Sequence, residues 1–173
     1  MEKKVTSPLV KALIISLLLA VLDIIAGFAH FKYATWYRWI PAIIMLVAFI
    51  WACVNYASQN NGNVTFGNTF AHGFKVSAIA ACFSIIFVIL SIYIIFPDTK
   101  DIVLEQSRKQ MEEKGNLSEE NINAALDITR RLFFPFAIGG ALIGTIIIGA
   151  VGSLIGAAVA KKNPESSFEN QMK

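Results

Sequence analysis

Residues Leu9 to Ala29 read LVKALIISLLLAVLDIIAGFA. Apart from Lys11 and Asp23, every residue there is apolar or small. About 20 apolar residues in a helix match the ~30 Å hydrocarbon thickness of a bilayer. Lys3 and Lys4 precede the run, and a basic start before an apolar run also describes a secretory signal. Two features predict a retained span instead: the near-complete span length, and the lack of an Ala-x-Ala cleavage pattern between Asp23 and Phe31.

Three similar runs follow. The second, at about 39–57, is announced by Trp36, Tyr37, Arg38 and Trp39, the half-wet aromatic residues that settle at the headgroup level. Pro41 sits in its first turn, where a missing N–H costs little. The connection Ser58–His72 carries no acid or Lys/Arg; Asn61-Gly62 marks a turn, and Asn68 or Thr69 is placed to cap the next helix. The third run, 74–96, has Lys75 at its entrance, where the ammonium can reach the aqueous edge, and Pro97 just beyond its end. The fourth, 132–160, exceeds one span and closes on Lys161-Lys162.

Composition agrees. Of 173 residues, 55 % are hydrophobic and 16 % charged, whereas a soluble domain carries about 25 % charged. The charge collects between the runs, above all in 98–131. Gly115-Asn116 divides that segment, and Ser118 reads as a helix N-cap with Glu119 and Glu120 favourably placed behind it. The expected fold is all-α: a single four-span membrane domain over 1–163, spans at about 9–29, 39–57, 74–96 and 132–160, a polar helical hairpin at 98–131 between spans three and four, and a disordered tail at 164–173. A net charge of +3, with Lys and Arg beside apolar runs and no basic stripe on a soluble face, excludes a nucleic-acid partner.

Inside the spans, lipid offers polar groups no partner, so small and polar residues mark where helices meet. Ala12, Ser16, Ala20, Asp23, Gly27 and His30 share one face of the first span. Gly140 with Gly144, and Gly152 with Gly156, form small-xxx-small pairs in the fourth, all expected at helix contacts. Asp23 is the candidate ion or proton site, with His30 two turns further on the same face, because an acid at mid-span must face the bundle or a wet cavity. Lys3, Lys4 and Lys11 flank the first span and Lys161-Lys162 the last, which places both termini in the cytoplasm and the hairpin outside; Lys32, Arg38, Arg130 and Arg131 argue the other way.

Catalytic constellations are not evident. His30 and His72 stand alone, without zinc-binding spacing, and no glycine-rich phosphate loop follows a strand. Glu112-Glu113 and Glu119-Glu120 read as solvated surface. Cys53 and Cys82 lie within apolar runs and act as small apolar residues. No cofactor or metal is expected.

Three ordered stretches carry a resemblance: Thr65-Phe66-Gly67-Asn68-Thr69-Phe70 with Gly73-Phe74, then Phe96-Pro97-Asp98 before the acidic segment, then Gly152-Ser153-Leu154-Ile155-Gly156-Ala157-Ala158 leading to Lys161-Lys162. Over roughly 8–163 the chain resembles a family of small bacterial membrane proteins classed as domain of unknown function 4199. The resemblance implies a four-span protein of the inner membrane, and assigns no activity and no functional residues. The expected function is a non-enzymatic accessory or scaffold subunit that docks on another membrane protein or on itself. The alternative is a small transporter or channel component using Asp23. A third is chemistry on a lipid substrate by the charged segment through Glu112, Glu113, Glu119 and Glu120.

Overall fold

The computed structural model describes residues 5–34, 36–115 and 118–163, with Arg38 and Lys114 by backbone alone. Lys3, Lys4, Asn116 and the 164–173 tail lie outside the described residues. All regular elements among them are helical: α1 (Pro8–Phe28), a 3₁₀ turn (Tyr37–Trp39), α2 (Ile40–Gln59), α3 (Phe66–Leu90) continued by a π-helical turn (Ser91–Ile95), α4 (Thr99–Lys114) and α5 (Glu119–Val159). Four of them, counting α3 with its π turn, are long and apolar enough to cross a membrane, as befits a multi-pass membrane protein.

Local chemistry sets the helix ends. Ser7 accepts the Val10 N–H at the start of α1, and Pro8 follows as the first helical residue. The α2–α3 connection is shorter than the uncharged stretch suggests. Thr65 caps α3, its hydroxyl accepting from Asn68 N–H at 3.1 Å, so neither Asn68 nor Thr69 is the cap and the helix begins at Phe66. Near the end of the third span the ladder widens by one residue. Phe96 N–H bonds to the Ser91 carbonyl at 2.7 Å, and Pro97 then stops the helix.

A correction concerns the polar hairpin, which is not supported. Its first arm exists as α4, ended by Gly115 in the left-handed region (φ +64°). Its second arm is not a separate helix but the opening turns of α5, a single helix of 41 residues. Ser118 does start that helix, accepting from Asn121 N–H at 3.4 Å. The expected boundary between Arg131 and Leu132 is a change of polarity, and polarity does not stop a helix whose backbone bonds are internal. Pro135 removes one bond, yet α5 runs through it.

Two compact units emerge. The first holds the described residues up to Ser84 together with those from Leu142 onward; the second is Ile85–Ala141. In the first, Ala12 and Ile15 of α1, Phe49 and Ala52 of α2, and Val76 and Ala80 of α3 form the apolar core. Leu13, Leu17, Val47 and Val151 point outward, an exposed apolar surface suited to lipid. Thr6 and Gln59 exchange two hydrogen bonds (2.9 and 2.8 Å), and Asn163 N–H reaches the Gly62 carbonyl at 2.9 Å. The start of α1, the α2–α3 turn and the end of α5 therefore lie at one end of this unit. In the second unit, the Tyr93 and Phe134 rings stack at 5.0 Å, and Leu104, Ile122 and Phe133 are buried.

Candidate functional site

Lys11 enters the first unit from the fourth position of α1. It is completely buried. Its ammonium donates to the Ala52 carbonyl at 3.1 Å and lies 5.8 Å from the centre of the Tyr56 ring. The sequence reads Lys11 as one of the charges flanking the first span, and the structure turns it inward instead. Lys11, Ile15 and Leu19 follow at four-residue steps, so the lysine shares the face that α1 turns to the core. Lys75, by contrast, is exposed at the side of α3.

Around it the bundle is unusually polar for a membrane interior. His72 is 7 % exposed and stacks on Tyr56 at 4.1 Å between ring centres; its Nε2 has no hydrogen-bond partner among the described residues. The Cys53 thiol reaches the carbonyls of Thr69 (3.6 Å) and Ser153 (3.8 Å), joining α2 to α3 and α5. Thr69 and Ser77 are fully buried and return their hydroxyls to the carbonyls of Thr65 and Phe74, as hydroxyls in apolar helices do. Gly73 makes the junction possible: a Cβ there would collide with Cys53 Sγ and with Ser153 Oγ.

The other small residues divide. A Cβ on Gly149 would strike Ser77, one on Gly152 would stand 3.0 Å from Phe49 Cβ, and one on Gly156 would stand 2.7 Å from Cys53 Cβ. Gly152 and Gly156 thus sit where α5 meets α2. Gly140 and Gly144 have no atom within 4 Å of such a Cβ among the described residues. Gly27 is half-buried in α1.

Asp23 and His30 do not come together as a pair. Asp23 Oδ2 lies 2.7 Å from Lys32 Nζ, and the two side chains are 27 % and 15 % exposed. The chain must fold back after α1 to bring Lys32 there; His30 makes part of that reversal, with φ +60° and an exposed side chain. Beside the pair, the Tyr37 hydroxyl donates to the Leu22 carbonyl at 3.3 Å. Burial, and secondarily the Asp23 carboxylate, push the Tyr37 phenol above its ordinary value of 10.0. Phe31, Trp36 and Tyr37 cluster at 5.2–6.0 Å between ring centres and cover this corner.

In the second unit α4 and the opening turns of α5 enclose an open groove of about 520 Å³. Leu104 and Leu126 supply its apolar lining, with Glu105, Arg108, Asp127 and Arg130 around them. Arg108 bridges the helices by donating to Asn123 Oδ1 at 2.6 Å. Lys109 pairs with Glu105 at 2.7 Å, which holds that carboxyl below the usual range by hydrogen bond and charge. Glu112, Glu113, Glu119 and Glu120 are exposed; Glu112 makes a loose pair with Arg108 at 3.6 Å.

The arrangement offers two kinds of polar chemistry: enclosed tethers in the first unit, and an open mixed-charge groove in the second. Among the described residues no group of three or more His, Cys, Asp or Glu could hold a metal ion. No curated protein and no solved structure matches the chain. A family pattern does match, over residues 10–162, which takes in all four spans and the groove; the chain belongs to the family described as protein of unknown function (DUF4199).

Proposed function

We propose that the chain is a non-enzymatic accessory or scaffold subunit of the bacterial inner membrane, and that it holds another membrane protein through the groove between α4 and the start of α5. The observation that carries this is the groove itself. Its apolar lining and rim of both charge signs suit a polar protein segment better than lipid. The polar groups inside the first unit support the same assignment, since Lys11, Cys53, Asp23 and Tyr37 are engaged with other helices or loops of this chain. Exposed Lys161 and Lys162 at the end of α5 favour cytoplasmic termini, and the α4 segment then follows the third span on the outer side.

The experiment is purification of the full-length chain from native membranes in mild detergent, alongside Leu126→Glu and Arg130→Glu. A stoichiometric membrane protein retained by the wild type and lost from both variants, with insertion intact, supports docking through the groove. A wild-type chain recovered alone or only with itself overturns it, as does a partner that both variants keep.

A further inference from the structure

The end of the first unit that carries the α2–α3 turn holds a second open pocket, of about 550 Å³. Val54 of α2 and Val159 of α5, 38 % and 60 % exposed, are the apolar part of its lining, Ser58, Asn61 and Asn163 add polar groups, and among the described residues lining it none is acidic. Lys161 and Lys162 also line it.

The sequence builds this notch in a definite way. Asn61 and Gly62 both adopt left-handed backbone (φ +53° and +76°), which turns the chain tightly between α2 and α3. The turn lies so close to the end of α5 that a Cβ on Gly62 would stand 3.0 Å from the Asn163 nitrogen. Asn163 N–H donates to the Gly62 carbonyl at 2.9 Å. That tether fixes the residues just before it, and Lys162 Nζ sits 5.1 Å from the centre of the Phe66 ring, an ammonium held over an aromatic face. Both lysines are exposed, and neither makes an ion pair with an acid among the described residues.

Val54 lies within the last two turns of its span and Val159 ends the fourth. The notch therefore opens where the acyl region meets the headgroups. An occupant must offer apolar chains to the valines and negative charge to two ammoniums. A soluble anion has no use for the valines, and a zwitterionic lipid none for two ammoniums that no acid among the described residues pairs. We infer that the notch formed by Val54, Asn61-Gly62, Val159, Lys161 and Lys162 is a binding site for an anionic phospholipid, one monoester-like or diester phosphate head between the lysines and one acyl chain along the valines.

Native mass spectrometry of the full-length protein in detergent tests this, with phosphatidylglycerol and phosphatidylcholine of identical chains as probes. The variants are Lys161→Gln/Lys162→Gln and, with the same change of charge elsewhere, Lys100→Gln/Lys109→Gln. The wild type should retain phosphatidylglycerol at least about fivefold better than phosphatidylcholine, on the order of one lysine's attraction at an anionic surface. The notch variant should lose that preference and the α4 variant keep it. Val159→Glu, which puts an acid on the wall, should also lose it without touching either lysine. Equal retention of the two lipids by the wild type overturns the site. An equal loss in the α4 variant overturns it too, since net charge would then account for binding. Displacement of phosphatidylglycerol by millimolar inorganic phosphate overturns the lipid assignment, because the walls would contribute nothing.

Discussion

The ammonium of Lys11 and the backbone carbonyl of Ala52, 3.1 Å apart and sealed from solvent, tie α1 to α2 in the interior of the first unit. A carbonyl oxygen compensates a cation only in part, and the nearby Tyr56 ring adds a second, weaker attraction. The side chain also fills space: Lys11 heads the fully buried side chains by volume. Volume and charge can be separated by mutation. Lys11→Met keeps the volume and removes the charge, and is expected to leave stability within about 1 kcal/mol of wild type or to raise it, as apolar replacements of buried charges often do. Lys11→Ala leaves a cavity and should cost about 2–5 kcal/mol. Thermal unfolding in detergent, followed by loss of the monodisperse species, reads both. A Met variant as damaged as the Ala variant would mean that the ammonium–carbonyl bond, and not packing, holds α1 in place.

The glycines of α5 make a second prediction. Gly149→Leu and Gly156→Leu drive a branched side chain into Ser77 and Cys53 respectively, where the ideal Cβ alone already collides. Each should destabilise the chain by at least about 1–3 kcal/mol, the usual range for overpacking. Gly144→Leu meets open space and should leave the unfolding temperature unchanged. If Gly144→Leu instead alters the mass of the detergent-solubilised particle at unchanged stability, that stripe serves contact between chains.

These two cases show what can be read from residues alone. Four spans were legible because an apolar run of span length has few other uses, and α1 and α2 begin and end within two residues of the expected limits. The Ser118 cap and the stop at Pro97 were legible because each acts on its own backbone. Lys11 was not. A lysine four residues into a span can snorkel or turn inward, and the choice depends on whether the facing helix offers an acceptor; Ala52 offers only its backbone, which no side-chain pattern reveals. The continuity of α5 was hidden for a related reason: charge density marks where water begins, while helix ends are set by caps and breakers, and none lies between Ser118 and Pro135 that stops the ladder. Spacing put Asp23 and His30 on one face, but the chain reversal after α1 delivers Lys32 to Asp23 instead.

That pairing has its own consequence. An Asp23 serving as an ion site would lose a flux on neutralisation while the fold stayed intact. Asp23 bonded to Lys32 predicts the reverse. Asp23→Asn takes the carboxylate away from the Lys32 ammonium and should cost about 1.5–3 kcal/mol, the range for a hydrogen bond to a charged group. Adding Lys32→Met to Asp23→Asn should restore part of that loss. A double-mutant cycle on unfolding in detergent measures the coupling, and additivity of the two single changes would show that the pair contributes nothing.

Tyr37 supplies a prediction in pH. Its phenol is raised above 10.0, first by burial and then by the Asp23 carboxylate, so the folded chain holds that proton more tightly than the unfolded chain does. The stability from this difference is fully present below pH 10, the unfolded value, and is lost as pH rises through the folded value. In a titration followed by phenolate absorbance, one of the four tyrosines should ionise late in the wild type and be absent from Tyr37→Phe. Tyr37→Phe also gives up the bond to the Leu22 carbonyl, about 0.5–1.5 kcal/mol at neutral pH. The variant should therefore be less stable than wild type near pH 7, yet lose less stability between pH 9 and pH 11, so the two curves converge as the solution becomes alkaline. Parallel curves across that range would show that the Tyr37 proton is held no more tightly in the folded chain than in the unfolded one.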